Sequence, residues 1–170
     1  MTKKIAYFLS GVILVGVIYV IWPASTDEVY REVFSRLISE DDTYGGQLRP
    51  KLVYVSKSIV NYPDAFYAEY KDLGVQLDDG AINAISQEAK SRGVELRWID
   101  KESDLKYNEL GEVVGGGVVA VFGELNRFHI YSEIEAVIKV ASLASGGTRY
   151  EFYKLFYKWK LFNFGMSWVS

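Results

Sequence analysis

His129, Tyr131, Glu133 and Glu135 are the residues best suited to chemistry by type and spacing. In an extended strand alternate residues share a face, so these four side chains line up on one surface. Two carboxylates across a cleft can work as acid and base when their surroundings push their pKa values apart. A histidine beside them can act as base, metal ligand or pH switch. Against this, His129 is the single histidine and the chain has no cysteine, so no zinc set is complete. Lys139 continues the same parity, and such a row is what a solvated strand face looks like. The expectation is a solvent-facing histidine and carboxylates that keep the sheet soluble.

Other candidates fall to simpler explanations. Asp78-Asp79-Gly80 lacks the remaining ligands of a calcium loop and reads as a helix cap. Gly115, Gly116 and Gly117 run into Val118-Val119-Ala120-Val121-Phe122, a strand, whereas phosphate cradles open a helix. No G-x-S-x-G elbow is present. No catalytic, cofactor or metal site is assigned.

The C-terminal stretch is dense in rings: Tyr150, Phe152, Tyr153, Phe156, Tyr157, Trp159, Phe162, Phe164 and Trp168. If helices cover only one face of its sheet, Phe156 and Phe162 are left among Lys154, Lys158 and Lys160. An apolar surface with a lysine rim suits a protein partner or an anionic membrane. The candidate partner face is therefore Tyr131, Glu133, Glu135, Phe156 and Phe162.

What would carry that face is set by the N-terminus. Residues 5–22 are eighteen uncharged, mostly apolar residues, close to the ~20 that cross a bilayer as a helix. Lys3 and Lys4 precede them, and Asp27 and Glu28 follow. The positive-inside rule puts the N-terminus in the cytoplasm and the remainder outside. Residues 1–26 thus read as an anchor, with a cleaved signal peptide as the alternative; Trp22-Pro23-Ala24-Ser25-Thr26 offers no good small-x-small cleavage site. Residues 27–170 form one extracytoplasmic domain. Without Lys3 and Lys4 it carries 17 basic and 22 acidic side chains, a net charge of −5. That balance argues against nucleic acid. With no disulfide available, the core must hold the fold, and aromatic residues at 15% suffice for one.

Along the domain, Ser25 and Glu28 have capping-box spacing, and Val29, Val33, Phe34, Leu37 and Ile38 predict a helix over 26–40. Residues 51–58 read as a strand. Pro63 opens an expected short helix with Phe66, Tyr70 and Leu73 on one stripe. A second helix follows from Asp78, burying Ile82, Ile85 and Ala89 and ending at Gly93. Residues 94–98 alternate as a strand. From Val113 onward the pattern is an antiparallel meander, with Phe128, Ile130, Ile134, Ala136, Ile138 and Val140 on the core parity. Gly146-Gly147 is expected to turn the chain. Tyr150 and Phe152 conflict in parity with Tyr153, Leu155, Tyr157, Trp159 and Leu161, which calls for a bulge near 152–154 or a local break, the alternative being a sheet covered on both faces. The fold class is α+β: helices on one face of a curved antiparallel sheet behind a transmembrane helix.

The segments 117–125, 144–150, 158–161 and 167–170 (GVVAVFGEL, ASGGTRY, KWKL and SWVS) together resemble a group of small, uncharacterised bacterial exported and lipoprotein-like proteins. The resemblance implies an α+β domain outside the cytoplasm and carries no activity; Leu155-Phe156-Tyr157 replaces that group's polar turn. More loosely, helices followed by a long curved sheet look like the cystatin and NTF2-type folds, and an anchored domain of this kind is similar to inner-membrane scaffold subunits of type IV secretion systems. The function expected is a membrane-tethered binding or scaffold module without catalysis, its partners being the bilayer through residues 5–22 and an envelope protein. The alternatives are a small hydrolase-type enzyme with a helix–sheet pocket and a secretion-system scaffold subunit.

Overall fold

Two helices lie on one face of a mixed sheet in a computed structural model that describes residues 24–39, 49–61, 71–141 and 144–169. The expected anchor, residues 5–22, and Pro63, Phe66 and Tyr70 of the expected short helix lie outside the described residues. Among the described residues no helix is long and apolar enough to cross a membrane.

Helix α1 (Asp27–Leu37) buries Val29, Tyr30, Val33, Phe34 and Leu37, one stripe at helical spacing. The capping box does not form. Thr26 is the N-cap without a side-chain bond, and Ser25 Oγ instead accepts from the Asp27 amide at 3.2 Å. Strands β1 (Leu52–Ser56) and β2 (Ser58–Asn61) follow, and β2 pairs antiparallel with β3 (Lys71–Gln76) as a separate ribbon. Leu73 is thus in a strand, not on a helix. Helix α2 (Asp79–Ser91) is capped as its sequence predicts: Asp78 Oδ1 accepts from the Ala81 amide at 2.8 Å, and Gly93 has φ +69°. Arg92 ties α2 to α1 through its hydrogen bond to Ser35.

The main sheet has the order β4 (Glu95–Ile99), β1, β5 (Val118–Phe122), β7 (Tyr131–Ala141), β8 (Ala144–Leu155), β9 (Lys158–Val169), with β6 (Asn126–Phe128) also pairing β7. It is mixed rather than antiparallel, because β1 runs parallel to both β4 and β5. Parallel neighbours need long crossovers. The first is supplied by β2, β3 and α2, the second by residues 100–117 with a short 3-10 helix at Glu102–Asp104. That second crossover runs over the face opposite the helices. Leu105, Tyr107 and Val113 pack there on Val119, Val121 and Tyr54.

The main core lies between helices and sheet, joining α1 and α2 to Val53, Val55, Ala120, Phe122, Ile134, Ile138, Tyr150 and Phe152. Phe34, Phe122 and Phe152 are fully buried, each worth roughly 1.5–3 kcal/mol of transfer free energy. Two expected core residues are outside it. Phe128 and Ile130 are 58% and 50% exposed, because a turn at His129-Ile130 separates β6 from β7. Nor do Gly146 and Gly147 make a turn. They lie inside β8, opposite Ile138 and Val137 on one side and Val169 and Trp168 on the other. Neither has positive φ, so their flexibility is not used for turning.

The parity conflict resolves in β9. Asn163 pairs Glu151 while Leu161 pairs Phe152, so Phe162 is the extra residue of a bulge. A two-residue turn, Phe156-Tyr157, separates β8 from β9. On either side of that turn Tyr150, Phe152 and Lys154 share the helix side of β8, and Trp159 and Leu161 that of β9.

Candidate functional site

Strands β7, β8 and β9 have a second face that the crossover meets at the C-terminal end of β7, through Lys139 and Ala141, and the candidate residues gather on the open remainder. Odd-numbered β7 residues point away from the helices; Ile134, Ala136 and Ile138, on the other parity, fill the core. Register sets Tyr131 opposite Tyr153, Glu133 opposite Glu151 and Glu135 opposite Arg149. The face therefore has three rows, aromatic at one end and ionic at the other.

The first row is rings. The bulge brings Phe162 against Tyr131 and Tyr153, with ring centroids 6.2 and 6.1 Å apart, and Phe128 approaches Tyr131 at 6.2 Å. The second row is polar. Tyr131 Oη lies 3.1 Å from Glu133 Oε2 and 3.2 Å from Glu151 Oε1, sharing its proton between them, while Asn163 Nδ2 donates to Glu151 at 2.7 Å. Partial desolvation, then the hydrogen bond to Glu133 and its charge, then Glu151, push the Tyr131 phenol up to about 12. In the third row Arg149 donates to Glu135 Oε1 through Nε at 3.0 Å and Nη2 at 2.8 Å.

Beside the ionic row is a cleft of about 200 Å³, lined by Asn61, Glu124, Asn126, Glu133, Glu135 and Arg149 among others. Carboxylates and one guanidinium make it polar. Among the described residues no group of three or more His, Cys, Asp or Glu side chains could hold a metal ion.

Tyr131, Glu133, Glu135 and Phe162 are thus brought onto one face. Phe156 is apart from them, at the tip of the β8–β9 hairpin, where it is 68% exposed. His129 is exposed at the tip of the β6–β7 hairpin, in a turn rather than a strand, with φ +47°. It does not join the two glutamates at the cleft. Lys154 does not rim the face: it shares the parity of Tyr150 and Phe152 and is buried on the helix side, leaving Lys158 and Lys160 exposed.

Arg149, Glu151, Tyr153 and Asn163 belong to the face and were missed as candidates. The available signal was hairpin register. Glu135 faces Arg149 in the β7–β8 register, a pairing that a turn at Gly146-Gly147 would not produce.

No family model, no curated protein and no solved structure matches the chain.

Proposed function

We propose that this protein is a membrane-tethered, extracytoplasmic binding module whose outer β7–β9 face takes a protein partner without catalysis. The observation that carries the reading is the unequal cover of the sheet. Over β1 and β5 both faces are buried, by helices on one side and residues 100–117 on the other. Along Tyr131, Glu133 and Glu135 of β7 and the β8 and β9 residues beside them only the helix side is filled, and Tyr153 and Phe162 remain 42% and 54% exposed. Exposed aromatic rings are enriched at interface centres, and the ionic row beside them suits a polar rim.

The tether itself rests on residues 5–22, by length, composition and flanking charge. Likeness to exported lipoprotein-like proteins, and a cystatin- or NTF2-type curvature of β7–β9 around α1, belong to the same proposal. A scaffold subunit of a secretion assembly is one form such a module takes. The hydrolase reading rests on the cleft beside Glu133 and Glu135; the tie of Glu135 to Arg149 favours a structural use of that carboxylate.

A photocrosslinking residue at position 162, in the full chain in living cells, tests the partner face. The expected result is a discrete crosslinked species, absent when the same residue replaces Glu109 on the crossover. Equal, diffuse labelling from both positions counts against it.

A further inference from the structure

We infer that the two neighbouring hairpin tips, His129-Ile130 and Phe156-Tyr157, dip into the interface of an anionic bilayer beside the anchor. This rests on the tether reading and adds a second membrane contact to it.

The tips are adjacent. Tyr131 pairs with Tyr153 where β7 begins and β8 nears its end, and the Lys154 amide donates to the Ile130 carbonyl at 2.7 Å. Apolar side chains concentrate on them. Phe128, Ile130, Leu155, Phe156 and Tyr157, in the two turns or at the strand ends that lead into them, are 43–68% exposed. Residues of this kind gain by entering the headgroup and acyl boundary, where a Tyr hydroxyl keeps its water.

The backbone is bent to display them. His129 and Phe156 are the two non-glycine residues with positive φ among the described residues, at +47° and +55°. Gly or Asn would fill such positions at less cost. A phenylalanine at such a position costs backbone strain that a glycine would not, and it places a ring at the tip.

Charge selects the kind of surface. Residues 126–132 and 152–162 contain Arg127, Lys154, Lys158 and Lys160 and no acidic side chain, in a chain of 19 basic and 22 acidic residues. Lys158 and Lys160 are exposed directly beside the Phe156-Tyr157 turn. Basic side chains at the foot of a protruding apolar tip match an anionic bilayer, whose surface attracts each nearby lysine. A neutral apolar groove on a protein would have no use for them.

Tyr30, in the first turn of α1, packs edge-on against Phe122 at 5.7 Å, at the C-terminal end of β5. β7 runs antiparallel to β5, so its first residues and the tips lie toward that same end of the sheet. From there α1 crosses the strands, and Arg36 in its last turn stacks over Phe164 of β9.

The test uses the full chain in vesicles. It has no native cysteine, so Phe156→Cys and Phe128→Cys each give one site for an environment-sensitive label, with Glu109→Cys as control. Glu109 precedes Glu112, which bridges to Ala141 at the far end of β7. In phosphatidylglycerol-containing vesicles the tip labels should be quenched by lipid-borne nitroxide and the control should not. Lys158→Gln with Lys160→Gln should weaken the tip's partition by roughly 25-fold, about five-fold for each lysine, while the chain still floats with the vesicles. Flotation with aqueous labels at both tips overturns this inference and leaves the tether standing. Failure to float overturns both. Labels that stay aqueous on vesicles of either charge but are shielded in native membranes assign the tips to a protein, which also overturns it.

Discussion

Lys139 Nζ lies 2.8 Å from Glu102 Oε1, with both side chains only 14% exposed. This ion pair fastens the second crossover to the outer side of β7, and Tyr107 Oη donates to the same oxygen at 3.0 Å. It marks the border between the covered half of the outer face and the open half.

Removing one partner should therefore cost far more than a surface pair would. Glu102→Ala leaves a buried ammonium beside an apolar cluster and should destabilise the domain by about 3–5 kcal/mol. Glu102 Oε2 is buried with no hydrogen-bond partner, so the carboxylate is not fully compensated. Replacing both residues by methionine should recover most of the loss. Urea denaturation of the three variants measures this; equal costs for single and double variants would contradict the pairing.

Alkaline pH offers a second check. Burial, followed by the charge of Asp78, raises the Tyr30 phenol from 10.0 to about 12. Burial and Glu102 also push Tyr107 above its ordinary value. A raised phenol means the fold favours the neutral form. The stabilisation is complete below pH 10 and is lost as pH climbs toward 12, about 2–3 kcal/mol for Tyr30 alone. Phenolate absorbance should show a late-ionising group that titrates together with unfolding. Tyr30→Phe should flatten the loss of stability above pH 10.

Gly117 is the glycine whose replacement should hurt most directly. Its φ is +95°, and a Cβ there would meet the Leu52 carbonyl at 2.8 Å, where β1 and β5 come together. Gly117→Ala should cost about 1–3 kcal/mol. Gly116→Ala, with φ +80° and open space around the Cβ, should cost less. Thermal midpoints of the two variants give the comparison.

Much of this architecture is legible in the residues. The stripe of α1, the Asp78 cap, the Gly93 terminator and the alternation of β7 are all local signals, and local signals survive folding. The failures have non-local causes. Val118–Phe122 is buried at all five positions, the mark of a strand covered on both faces and common in parallel sheets. Seeing it as parallel required knowing that residues 100–117 fold back across it, which no periodicity in that segment announces. Gly146-Gly147 carries turn composition inside a strand held from both sides. Phe128 and Ile130 have core parity but sit beyond the point where β7 begins. Within the candidate face, Tyr131, Glu133 and Glu135 followed from alternation alone. Their partners Arg149, Glu151 and Asn163 depended on hairpin register and a bulge.

A membrane-impermeant maleimide applied to intact cells carrying Glu109→Cys, on the crossover and away from the partner face, is the most direct test of a tethered domain outside the cytoplasm. The account predicts that this exposed position reacts without lysis, as strongly as after it. Reaction only after the membrane is broken would contradict the account.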